Sequence, residues 1–146
     1  MGRLIFDLPE HFVFSTEMQI YISHVNQGGH LDNAQLLTLV SEARVRFFGW
    51  LGYAEADVGD FSIVVADIVA QYKSEAFHGE TMGVRMMPVD FNKYGFDLAF
   101  CMTETSEYRE VARGKIGIVF IDKANRKVAA IPNGIKKLLL DATVAR

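Results

Sequence analysis

Apolar residues at helical spacing dominate the stretch from Asn33 to Leu51. Leu36, Val40, Ala43, Phe47 and Trp50 recur about one turn apart, and Leu37, Leu39, Val45 and Phe48 widen the stripe. Only a narrow polar line through Gln35, Thr38, Glu42, Arg46 and Gly49 remains, so the pattern predicts one long, buried helix. Asp32 is the expected N-cap, and Gln35 three residues later suggests a capping box. Gly49 and Gly52 mark the stop, and Asn26-Gln27-Gly28-Gly29-His30 is a glycine loop feeding the start.

Elsewhere the pattern turns to strands. His11 to Ser23 is aromatic and branched and reads as one strand, with a break near Ser15-Thr16. Tyr53 to Asp60 is acidic and glycine-punctuated, a surface loop, and Phe61 to Tyr72 is apolar on both faces, as in a central strand. Thr81 to Phe91 follows a turn at His78-Gly79-Glu80 and leads through Asn92-Lys93-Tyr94-Gly95 into a hairpin. Its second strand alternates Phe96, Leu98, Phe100 and Met102 with Asp97, Ala99, Cys101 and Thr103, one face core and the other more polar. Glu110 to Ile121 follows, with Ala112, Gly114, Ile116, Ile118 and Phe120 opposite Arg113 and Lys115. Val128 to Ile131 is a short extension, and Pro132 opens a helical stretch ending near Asp141. One antiparallel sheet of about five strands curling around one helix, an α+β fold, buries these faces most economically.

Composition narrows the function. The 146 residues suit one domain, 50% are hydrophobic and 23% charged, and the net charge of -3 argues against a nucleic-acid surface. No apolar run reaches the length of a membrane span, and Pro9 interrupts an N-terminus without a signal-peptide core. The single cysteine, Cys101, fits a cytoplasmic location and reads as a core residue. The histidines and acids lack metal-ligand spacing, so no metal is expected.

Asn26-Gln27-Gly28-Gly29-His30-Leu31-Asp32-Asn33-Ala34, then Leu36-Leu37 and Glu42-Ala43-Arg44, resembles the hotdog-fold acyl-CoA thioesterases of the 4-hydroxybenzoyl-CoA thioesterase branch. That pattern is an Asp, two residues, Gly-His-Val-Asn-Asn-Ala, an aromatic-Leu pair, and a Glu shortly before Ala-Arg. Ala112-Arg113-Gly114, Val119-Phe120-Ile121-Asp122, Lys127 and Ile131-Pro132 look like the family's last strand and exit, so the resemblance runs from roughly Thr16 to Leu140. It implies a hotdog fold, completed as a homodimer or a dimer of dimers (homotetramer), that hydrolyses the thioester of an acyl-CoA or acyl-carrier substrate. No cofactor is implied beyond coenzyme A as part of the substrate. The carbonyl would sit at the helix start, polarised by the amide of Asn33, where unpaired amides and the helix dipole favour an oxyanion. Gly28 and Gly29 would let the substrate approach the backbone.

The chain departs from the pattern where the family has its catalytic carboxylate. Asn26 stands there, and a neutral amide orients water but does not accept its proton. His30 and His24 flank the loop with suitable intrinsic basicity, while the expected capping role occupies Asp32. Glu42 is another candidate; the family's helix glutamate aligns one residue earlier, with Ser41. It lies ~13 Å along the helix from Asn33, so it would serve a partner's helix start rather than its own. Each residue also has a plainer reading: Glu42 paired with Arg44 or Arg46, His30 bonding the loop backbone, Asn26 bridging the loop, the glycines making a turn. Lys73, Arg85, Lys93, Arg109, Arg113 and Lys115 are candidate contacts for the phosphates of coenzyme A, or ordinary solvated charges. Two rivals stand beside hydrolysis: a non-catalytic acyl-CoA binding module, favoured by Asn26, and an enoyl-thioester hydratase or dehydratase, which needs a paired histidine and carboxylate at the helix start.

Overall fold

The computed structural model describes residues 2–55 and 57–144. Helix α1 spans Asn33–Leu51, and the Asp32 side chain accepts the amides of Ala34 and Gln35 at 3.0 and 3.3 Å. At the other end Gly52 is left-handed (φ 94°), and its N–H returns to the carbonyls of Gly49 and Phe48. The capping box does not form as expected, because the N–H of Asp32 donates to the carbonyl of His24 at 2.9 Å and leaves Gln35 nothing to satisfy. That bond ties the helix start to the segment before the glycine loop.

Strands β1 (Phe14–Gln19), β2 (Phe61–Tyr72), β3 (Thr81–Val89), β4 (Gly95–Glu104) and β5 (Arg109–Asp122) form one sheet in the order β1-β3-β4-β5-β2. Every pairing is antiparallel. The core lies between α1 and the sheet, where Leu36, Val40, Ala43, Phe47 and Phe48 meet Met86, Phe96, Phe100, Ile116 and Phe120. Helix α2 (Asn133–Val144) runs three residues past the expected end and adds Ile135 and Leu139 to that core.

Three expectations are corrected. The first strand is shorter than His11 to Ser23: after β1 the chain makes one 3₁₀ turn at Ile22–His24, closed by the Tyr21 amide donating to Nδ1 of His24. β2 is an edge strand rather than a central one, at the end of the sheet beside β5, and Val64, Val65 and Ile68 along it are exposed. α1 is buried on one side only. Val45 and Trp50 stay 48% and 49% exposed because the sheet covers a single face of the helix. The second face of β4 is the more polar one, as expected: half-buried Asp97 and Thr103 lie on it beside the buried Ala99 and Cys101. The cross-strand neighbours of Ala99 and Cys101, namely Met87, Lys115, Arg85 and Arg113, are long, and such stems lie over short residues.

Candidate active site

The glycine loop closes on itself. Val25 and Leu31 form a bridge, the Asn26 amide donates to the His30 carbonyl at 3.0 Å, and the Gly29 amide returns to the Asn26 carbonyl at 3.0 Å. Gly29 sits at φ 84°, a conformation that favours glycine. The Asn26 Oδ1 accepts the Gly28 amide at 3.0 Å, which leaves the Asn26 Nδ2 as a donor. A Cβ added at Gly28 would lie 3.1 Å from the His30 Nε2 and 3.3 Å from the Asn26 Oδ1, so both polar atoms face the same point beside the loop.

A second segment runs alongside. His30 bridges Phe77, and the Leu31 amide donates to the Ala76 carbonyl at 2.7 Å, which lays the chain after β2 against the loop. Between them opens a cleft of about 330 Å³, lined by Asn26, His30 and Asn33 on one side and Tyr72, Lys73, Ser74 and Glu75 on the other. The Tyr72 hydroxyl donates to the Asn33 carbonyl at 2.7 Å and fastens the end of β2 to the helix start. Burial, followed by the nearby charge of Asp32, pushes the Tyr72 hydroxyl above its ordinary range, so it stays a donor. The His30 Nε2 lies 3.7 Å from the Glu75 Oε1. Asp32 takes the Ala34 and Gln35 amides, and the amide of Asn33 has no acceptor among the described residues.

Of the residues singled out in the sequence, Asn26, His30, Asn33 and Lys73 line this cleft, with Gly28 and Gly29 at its loop. Glu42 and Arg113 do not. Glu42 is exposed on α1 and accepts from the Arg46 Nε at 2.8 Å, while Arg46 also reaches the Thr16 Oγ1 and the Glu17 carbonyl, binding helix to β1. Arg113 lies on the outer sheet face, paired with Glu110 at 2.7 Å and donating to the Phe6 carbonyl at 3.2 Å. Tyr72 and Glu75 went unseen in the sequence, since their segment reads as a strand end and connector and only the fold brings it to the loop. Among the described residues no cluster of His, Cys, Asp or Glu is placed to hold a metal ion, and no helix is long and apolar enough to cross a membrane.

The family model described as the thioesterase-like superfamily matches residues 21–139, which takes in the loop, all of α1 and every strand but β1. The chain belongs to the thioesterase-like superfamily. Its fold is the hotdog fold, as solved structures show. A 1,4-dihydroxy-2-naphthoyl-CoA thioesterase from Synechocystis is 20% identical with a TM-score of 0.80, over 88% of this chain and 96% of that one. A Staphylococcus aureus protein solved in complex with CoA is 14% identical with a TM-score of 0.81, over 95% and 88%. A gentisyl-coenzyme A thioesterase is 14% identical with a TM-score of 0.76, over 86% and 99%. Comparison with curated proteins finds no match.

Proposed function

We propose that this superfamily member hydrolyses the thioester of an acyl-CoA, or of an acyl carrier, to a free acid and a thiol. The observation that carries the reading is that Asn33, whose amide at the start of α1 has no acceptor among the described residues, lines a cleft together with Asn26 and His30. There the Asn33 amide polarises the thioester carbonyl and holds the oxyanion. Asn26 orients the attacking water through Nδ2, and His30 accepts its proton. The exposed Lys73 meets the phosphates of coenzyme A, and water is the only co-reactant. The solved relative in complex with CoA, and those named for aromatic acyl-CoAs, make aromatic acyl groups the first substrates to try.

The unit is a homodimer. β2 lies at the edge of the sheet with Val64, Val65 and Ile68 exposed, and a second copy would cover that edge. Glu42 enters the chemistry only from such a partner, since in its own protomer it lies ~13 Å along the helix from Asn33 and outside the cleft. Thiol release from a panel of short, long and aromatic acyl-CoAs tests the reading: turnover with any member upholds it, and its chain-length profile sizes the pocket. Two observations favour other outcomes. The amide at Asn26 favours a binding module, which would take up acyl-CoA in calorimetry without releasing thiol. The approach of His30 to Glu75 favours a hydratase, which would add water to an enoyl-CoA and leave the thioester whole.

A further inference from the structure

We propose that Glu75 is the positioning carboxylate of this site, acting through His30 in place of the carboxylate that position 26 lacks. This rests on the hydrolytic reading above. Glu75 lies far from the glycine loop in sequence, yet its backbone is fixed against the loop on several sides. The Leu31 amide bonds the neighbouring Ala76 carbonyl at 2.7 Å, and the Ser74 hydroxyl donates to the Glu110 carbonyl at 2.7 Å. Arg109 donates to the Glu75 carbonyl at 3.1 Å and is itself held by Glu80, which also accepts the Phe77 amide at 2.8 Å. The side chain lies beside His30 with 63% of it exposed.

An exposed pair of this kind contributes about 0–1 kcal/mol at most, so stability gives little reason for the arrangement. Its location gives a better one. The Glu75 Oε1 and the His30 Nε2 stand 3.7 Å apart, within ion-pair range but beyond a hydrogen bond, so the carboxylate does not tie up Nε2. The same Nε2 faces the point beside Gly28 that the Asn26 side chain also faces. In the reaction, Nε2 takes a proton from water as the water oxygen bonds to the thioester carbon and the carbonyl pair moves onto oxygen at the Asn33 amide. When the carbonyl re-forms, the carbon–sulfur bond breaks with its pair on sulfur, and Nε2 returns the proton to the thiolate. Between those transfers His30 is a cation, and the Glu75 carboxylate is the counter-charge that stabilises it.

The test is a cycle of His30→Gln, Glu75→Gln and the double variant in the full chain, with Glu75→Asp as the conservative control. Glu75→Gln should lower kcat by about 10- to 100-fold with KM within about twofold, and His30→Gln by at least about 100-fold. Glu75→Asp should recover part of the loss, and the double variant should be no slower than His30→Gln alone, because the two act as one unit. All four should melt with the parent. A Glu75→Gln enzyme with the parent's kcat, or a loss that multiplies in the His30→Gln background, overturns the proposal while leaving hydrolysis standing. A parent that releases no thiol from any acyl-CoA ends both.

Discussion

Asn26 uses its Oδ1 to hold the Gly28 amide, a bond that an aspartate could make equally well. Asn26→Asp therefore keeps the loop and adds a group able to accept a proton, and we expect kcat for thiol release to rise by about 10-fold or more. An unchanged or lower kcat would show that the site is built around the neutral amide. Glu104 tests a different residue-level contribution. Its carboxylate is buried and accepts the amides of Ser106 and Glu107 and the Ser106 hydroxyl, which holds it below the ordinary carboxylate range. A carboxylate depressed in the folded state stabilises fully above its unfolded value and loses that contribution as pH falls through its folded value. Glu104→Gln should thus be less stable than the parent in urea at pH 7, with the difference shrinking once pH drops below the ordinary carboxylate range. Asn26, His30 and Asn33 were legible in the sequence because they fall within one contiguous loop and helix start. Tyr72 and Glu75 were not, since no spacing links them to that loop; a tyrosine hydroxyl on a helix carbonyl is a tertiary fact.

Among the elements, α1 was the most readable. Both ends carry local chemistry, an aspartate that caps and a glycine that takes φ 94°, and the observed bounds fall where those signals lie. Asp32→Ala removes the acceptor for two amides and should cost about 1 kcal/mol in urea unfolding. β2 misled because an apolar strand looks the same whether a neighbouring strand, a core or a second copy covers it. β5 carries its own constraint. A Cβ at Gly114 would fall on the Val69 carbonyl of β2, so Gly114→Ala must push the two strands apart. A loss of about 1–3 kcal/mol, typical of overpacking, is expected, read as a lowered denaturation midpoint.

At the scale of the whole molecule, the sheet covers one side of α1, and one sheet edge shows apolar side chains, with Val64 45% and Ile68 38% exposed. The homodimer proposed above would cover that edge, and on that reading Ile68→Lys should sediment as a monomer at concentrations where the parent is a dimer. A parent that is itself monomeric would remove Glu42 from the chemistry altogether, because only a partner's helix could bring it to the cleft. The alternating patterns of β4 and β5 announced the wrapped sheet, whereas the cleft depends on the 74–77 segment meeting the glycine loop, a contact between distant stretches. The central claim is that this cleft breaks thioesters despite the asparagine at position 26. It is tested most directly by incubating the purified protein with short, long and aromatic acyl-CoAs and following free thiol. Release through many turnovers is the predicted result; binding in calorimetry with no thiol released from any acyl-CoA would contradict it.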